Sequence, residues 1–213
     1  MLWKKTKLFQ TIIPQIYSKR SYKTINKYFY ISSYSDLITP NINQNNKTEK
    51  IDELLLYINK KWKSMYPYTQ HITIDESMAS YKGKISFKQY NKDKNKSFGI
   101  KFFTKASSDK GYVYHLLPYT GKNFDYDKIK GIGATIIDKF SEEHKNSNFH
   151  FTFDSYYCNL YSIKRLYDYN INFTCTFNKK RKSFPESIRI CNLNKGETKL
   201  FGFENTNKFL FSI

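Results

Sequence analysis

The sequence predicts an α/β fold, a mixed sheet with helical crossovers preceded by a small helical region. Three observations predict it. Between residues 71 and 119 the segments ITID, FGIKFFTK and YVYHLLPY read as strands, and SSDKG between the last two has the composition of a hairpin turn. From residue 128 onward, runs with apolar residues at helical spacing alternate with short strand-like runs. Two stretches, HITIDESM at 71–78 and HFTFDSYY at 150–157, repeat one frame of His, apolar, Thr, apolar, Asp.

Residues 1–32 mix apolar, aromatic and basic side chains without strict period and are expected to form short helices. TPNINQNNKTEK, 39–50, is polar and turn-rich and reads as a loop. A helix follows, because Ile51, Leu54, Leu55, Ile58 and Trp62 make the stripe of a buried helical face. The strands then begin, and the chain is expected to divide into a helical N-terminal region, 1–70, and an α/β core, 71–213. In KIKGIGATIIDKF, 128–140, Ile129, Ile132, Ile136, Ile137 and Phe140 share one helical face. Gly131 and Gly133 weaken that helix by about 1 kcal/mol each relative to Ala, so a close backbone approach is expected there. FHFTFD is the next strand, LYSIKRLYDY at 160–169 a helix, and INFTCTF at 171–177 a final strand.

A hairpin-linked trio followed by helical crossovers makes the later strands parallel to the first. This is the strand order of a ribonuclease H-like fold, in which the first and fourth strands lie side by side at the sheet centre. The repeated frame is thereby explained. Alternation sends Ile72 and Ile74, or Phe151 and Phe153, to one face, while His71, Thr73 and Asp75, or His150, Thr152 and Asp154, take the other. Adjacent strands lie about 4.8 Å apart, so Asp75 and Asp154 can share divalent ions. A lone Asp at a strand end is ordinary turn chemistry; two matched ones point to a site.

Lysine and arginine number 36 against 18 acidic residues, a formal charge of +18. That favours a polyanionic partner such as nucleic acid, although the abundance of Lys, Asn, Tyr and Phe also follows from AT-rich coding DNA. Cys158, Cys175 and Cys191 occur singly, with no C-x-x-C pair and no zinc-finger spacing, which speaks against a disulfide framework or a structural zinc and fits a reducing compartment. No stretch approaches the length of an apolar membrane span, and the N-terminus lacks a secretory h-region. NKKRK at 178–182 suggests nuclear localisation.

The same segments resemble the piggyBac transposase family and the host proteins derived from it. IDESMASYKGKISFKQY at 74–90 is similar to the family's stretch around its first catalytic Asp, and FGIKFF and YTGKN are similar to the family's next segments along the chain. GIGATIID at 131–138 resembles the helix before the second catalytic Asp, and residues 151–185 the stretch containing it, with the later Thr-x-Thr strand and its basic tail. The resemblance implies a DDD-type cut-and-paste DNA transposase whose carboxylates bind Mg2+ or Mn2+, with Asp75 and Asp154 as the first two metal ligands. It also implies double-stranded DNA as partner, a TTAA target and a homodimer.

In the family a third catalytic Asp comes after a strand that FLFSI, 209–213, resembles, and a cysteine-rich zinc domain lies beyond it. No Asp occurs after Asp168. The sequence therefore predicts an incomplete core, lacking its last helix and third carboxylate: an enzyme fragment, a DNA-binding remnant without chemistry, or a relic that does not fold stably. Glu76 is expected to be structural or a cap, and His71 and His150 to be packed or hydrogen-bonded, because magnesium prefers oxygen ligands. Lys82, Lys84, Lys88, Lys101, Lys179, Lys180, Arg181 and Lys182 are the expected phosphate contacts. Tyr81, Tyr90, Tyr156 and Tyr157 are expected to pack in the fold, with stacking on unpaired bases as the alternative.

Overall fold

Alternating apolar residues build the strands, and their burial shows where the core lies. A computed structural model of the protein describes residues 16–28, 47–90, 98–182, 184–197, 200–201 and 211–212. Nearly half of the expected N-terminal helical region, and FLFSI apart from two residues, therefore fall outside the described residues. The chain divides into two compact units, residues 1–58 and 59–213. The first contains α1 (Lys19–Tyr28) and the start of α2 (Glu49–Met65).

The second unit holds the sheet. Its strands are β1 (His71–Ser80), β2 (Gln89–Tyr90), β3 (Phe98–Ser107), β4 (Val113–Pro118), β5 (His150–Phe153) and β6 (Asn172–Cys175). The order is β2-β3-β1-β5-β6, with β4 also on the outer edge of β3. β1 pairs antiparallel with β3 and parallel with β5, and β5 parallel with β6. Helix α3 (Ile132–Ser141) links β4 to β5, and α4 (Leu160–Asp168) links β5 to β6. Short α5 (Glu186–Arg189) comes next, and β7 (Leu200–Phe201) pairs with β8 (Phe211–Ser212) apart from the main sheet.

Ile72, Ile74, Phe103, Phe151 and Phe153 pack from the sheet against Ile136, Ile137 and Phe140 of α3 and Ile163 and Leu166 of α4. Each such buried side chain contributes about 1.5–3 kcal/mol of apolar transfer energy, so this one face fixes the register of the whole sheet. The outer edge of β4 is closed by a side chain. Asn59 of α2 donates to the carbonyl of Leu116 at 3.0 Å and accepts from its N–H at 2.9 Å, imitating a neighbouring strand.

Two boundaries differ from the sequence reading. The segment 128–131 is a turn rather than helix: the Asp127 carboxylate accepts the N–H of Ile129 at 2.8 Å and of Lys130 at 3.2 Å, and Gly131 has φ +82°, which a helix cannot continue through. β1 does not stop at Asp75 but runs on to Ser80, because β3 is long enough to pair with it as far as Gly99. What stops at Asp75 is the parallel pairing with β5, whose last register pair is Ile74 with Phe153.

Candidate site at the end of the parallel strands

The parallel register is His71 with His150, Ile72 with Phe151, Thr73 with Thr152 and Ile74 with Phe153. Asp75 and Asp154 are the next residue of each strand, on neighbouring backbones, and both are exposed. The adjacency expected from the repeated frame is present. Along the same open face, the His71 and His150 rings lie 5.7 Å apart, and His150 Nε2 is 2.8 Å from Thr174 Oγ1. His150 is thus hydrogen-bonded within the sheet as expected, whereas His71 is exposed and only lies against the His150 ring.

Each carboxylate is oriented by backbone alone. Asp75 Oδ1 accepts the N–H of Glu76 at 2.7 Å, and Asp154 Oδ1 accepts the N–H of Tyr156 at 2.8 Å. No basic side chain pairs with either among the described residues. The turn after Asp154 is held from several sides. Asn159 caps α4 by accepting the Ser162 N–H at 2.9 Å and donates to the Lys130 carbonyl at 3.0 Å. Arg181 donates to the carbonyls of Ser155 and Tyr156 at 2.8 and 3.0 Å. Gly133 is the close approach that its place in α3 predicted, for a Cβ there would lie 2.5 Å from the Tyr156 carbonyl oxygen. The strand end carrying Asp154 is therefore fixed in place before any ligand arrives.

Glu76, on the opposite face from Asp75, pairs with Lys101 at 3.3 Å. The Lys101 ammonium also lies over the rings of Phe103, Tyr119 and Tyr156 at 5.1, 5.7 and 5.1 Å. Beneath this group Tyr157 is fully buried, with a hydroxyl that has no hydrogen-bond partner of regular geometry among the described residues. Burial first, then the field of Glu76, Asp75 and Asp154, pushes its ionisation far above the ordinary phenol range. Tyr156 is raised to about 12 by burial and by Glu76. Both tyrosines keep their protons at neutral pH, so the negative charge at this strand end belongs to the carboxylates.

The eight basic residues singled out in the sequence fall into two groups. Lys88 donates to the Gly83 carbonyl at 3.2 Å, Lys179 to the Cys191 carbonyl at 2.6 Å, and Lys101 and Arg181 are engaged as described. Lys82, Lys84, Lys180 and Lys182 are exposed and show no side-chain partner among the described residues. Lys82 and Lys84 lie in the loop after β1, while Lys180 and Lys182 flank Arg181, whose guanidinium touches the Asp154 turn. Sequence reading placed Arg181 among the phosphate contacts and missed its clamp on that turn, because nothing in NKKRK distinguishes it from its neighbours.

The donor set suits a hard divalent cation. Two carboxylates on adjacent strands offer oxygen ligands only, and magnesium is commonly held by one or two carboxylates together with substrate phosphates. Among the described residues no three His, Cys, Asp or Glu side chains converge as a metal-binding group. Nor, among them, is any helix long and apolar enough to cross a membrane.

Comparison with known proteins places this α/β domain among transposases. Residues 1–212 match the family described as Transposase IS4, and the chain belongs to that family, within it to the piggyBac type. The human PiggyBac transposable element-derived protein 3 is 25% identical over 171 residues, covering 78% of this chain and 28% of the relative. The human chimeric ERCC6-PGBD3 protein is 25% identical over the same length, with 16% of that protein covered. Among solved structures, a piggyBac transposase synaptic complex with hairpin DNA shares the fold with a TM-score of 0.74 at 18% identity, over 92% of this chain and 42% of that one. The chain thus spans well under half the length of the proteins it matches.

Proposed function

We propose that residues 71–213 form the ribonuclease H-like core of a piggyBac-type DNA transposase, preceded by a helical region over 1–70, with Asp75 and Asp154 as two of its metal-binding carboxylates. The observation that carries this reading is the register: two exposed carboxylates in equivalent positions on adjacent parallel strands, each oriented by backbone N–H groups and neither paired with a cation among the described residues. The sheet order, with an antiparallel trio on one side of β1 and two parallel strands on the other, supports the fold assignment. A bound Mg2+ or Mn2+ would supply the charge that activates water or a DNA 3′ hydroxyl for in-line attack on a phosphodiester. Asp75 and Asp154 would hold the ion. Lys82, Lys84, Lys180 and Lys182 would draw the DNA backbone toward this end of the sheet. Lys88, Lys101, Lys179 and Arg181 would act there mainly through their internal contacts.

The third carboxylate of the family pattern would come from outside residues 1–213. Double-stranded transposon ends, a TTAA target, a homodimer and nuclear import through NKKRK belong to the same proposal. A second reading, a DNA-binding protein without strand cleavage, is favoured by the absence of a three-carboxylate group among the described residues.

Manganese binding followed by electron paramagnetic resonance, together with nicking of a labelled duplex, tests the proposal. Asp75→Ala and Asp154→Ala should each lower manganese affinity at least tenfold and abolish any nicking. Nicking that persists in both variants sinks the metal-site assignment. Salt-dependent DNA binding without nicking in the wild type supports the second reading.

A further inference from the structure

Cys158 and Cys175 are 17 residues apart in sequence, yet their Sγ atoms lie 3.1 Å apart, with the Cys175 thiol donating to Cys158. The α4 crossover brings them together. Cys158 sits in the turn after Asp154, and Cys175 ends β6 directly opposite Phe153, the residue before Asp154. Cys158 is fully buried and Cys175 partly so, while Cys191 is a separate buried thiol. The bond from Cys175, aided by the Arg181 guanidinium, outweighs burial and holds the Cys158 thiol below its ordinary range. The same bond, with burial, holds the Cys175 thiol above its own.

We propose that Cys158 and Cys175 are a reversible thiol–disulfide pair that ties the turn carrying Asp154 to the end of β6. The sulfurs need to close by only about 1 Å to reach the bond length of ~2.05 Å. The oxidant is a small hydroperoxide. The Cys158 thiolate attacks its terminal oxygen, the O–O bond breaks, and the products are a Cys158 sulfenic acid and, after protonation, an alcohol or water. Cys175, giving up its proton, then attacks the Cys158 sulfur, forming the S–S bond, and the sulfenic oxygen leaves as water once protonated. Two electrons and two protons have passed from the thiols to the peroxide, and a dithiol returns them. Arg181 already holds this turn through the carbonyls of Ser155 and Tyr156, and the disulfide adds to that hold without displacing it. The inference rests on the sulfur geometry and stands whether or not the chain cleaves DNA.

The test uses the full chain treated with hydrogen peroxide, then alkylated with iodoacetamide and digested with trypsin, which cuts after Lys164 and Arg165 and so separates the two cysteines. The expected result is one disulfide-linked peptide pair joining Cys158 to Cys175, with Cys191 recovered alkylated and the link reversed by dithiothreitol. A link to Cys191, a link between chains, or sulfinic acids without any link overturns the proposal. Hydrogen exchange of residues 154–159 should slow several-fold on oxidation and recover on reduction. Exchange unchanged by a demonstrated link overturns the role in fixing the turn, and Cys175→Ser should show neither link nor slowing.

Discussion

The two faces of the central sheet treat a carboxylate in opposite ways. On the helix-covered face, Glu143 accepts from Lys63 at 2.7 Å, from Tyr68 at 2.8 Å and from the buried ammonium of Lys105. On the open face, Asp75 and Asp154 stand beside one another with only backbone N–H donors among the described residues. Burial alone would raise Glu143, but Lys105, Lys63 and Tyr68 outweigh it and hold the acid at about 2. Lys105 is itself pushed down to about 8, because the cost of burying its charge exceeds the pull of Glu143. A chain that neutralises one carboxylate so thoroughly leaves two others on neighbouring strands without a cation among the described residues. The covered face has spent its charges on the fold, and under the proposed function the open face keeps its charges for a metal ion.

The largest expected effect breaks the covered side. Lys105 is fully buried and also touches the Phe140 carbonyl at 3.4 Å and His144 Nε2 at 3.3 Å. Lys105→Ala removes the cation and its stem and leaves Glu143 to Lys63 and Tyr68. Since Glu143 is about a third exposed, the cost should fall at the low end for a broken buried pair, about 3 kcal/mol. Urea unfolding measures it, with Lys105→Met, which keeps the stem, clearly less damaging. A loss no greater than that of a surface substitution would mean that the covered network is ornamental and the contrast between the faces unfounded.

Much of this contrast was legible in the sequence, and the part that was not has a physical reason. The repeated His-apolar-Thr-apolar-Asp frame placed Ile72, Ile74, Phe151 and Phe153 inside and Asp75 and Asp154 outside, because strand parity is local. Gly133 announced a close approach because a glycine inside a helical pattern has few other reasons. The Lys105 network was invisible, since a lysine in FGIKFFTK reads the same whether it meets water or a glutamate 38 residues later. Cys158 and Cys175 looked like isolated cysteines for the same reason: the crossover that joins them is a property of the sheet. The turn over 128–131 was missed because apolar spacing ran through it, and only the Asp127 side chain and the Gly131 backbone end the pattern.

A second effect, intermediate in size, sharpens the comparison through pH. His144 and His115 are each pushed down to about 4, first by burial and then by the charge of Lys105. Their folded values lie below the unfolded value of about 6.5, so between those limits the unfolded chain binds more protons than the native one. Stability is therefore complete above the upper value and falls as pH drops through the window. Each histidine should contribute a loss on the order of 1–2 kcal/mol between about pH 7 and pH 5. Unfolding midpoints measured across that range should show the slope in the wild type and about half of it in His144→Phe, which leaves His115 in place. An unchanged slope in that variant would assign the acid sensitivity elsewhere.

The smallest expected effect lies on the open face, and its smallness is the point. Asp75→Asn and Asp154→Asn each keep a side-chain oxygen to accept the N–H of Glu76 or Tyr156, so the local geometry survives. What each loses is a charge, and with it the repulsion of the neighbouring carboxylate. Stability should change by no more than about 0.5 kcal/mol, in the stabilising direction, with the double variant no more stable than either single one because one substitution already relieves the pair. Urea unfolding at low salt reads this most clearly, since exposed charges are least screened there. Manganese affinity should fall in the same variants. A loss of several kcal/mol would reveal a structural partner for the carboxylates, and the open face would then be holding the sheet together as the covered face does. Unchanged stability with lost manganese binding separates the two faces: one set of charges completes the protein, and the other is completed by the ligand it binds.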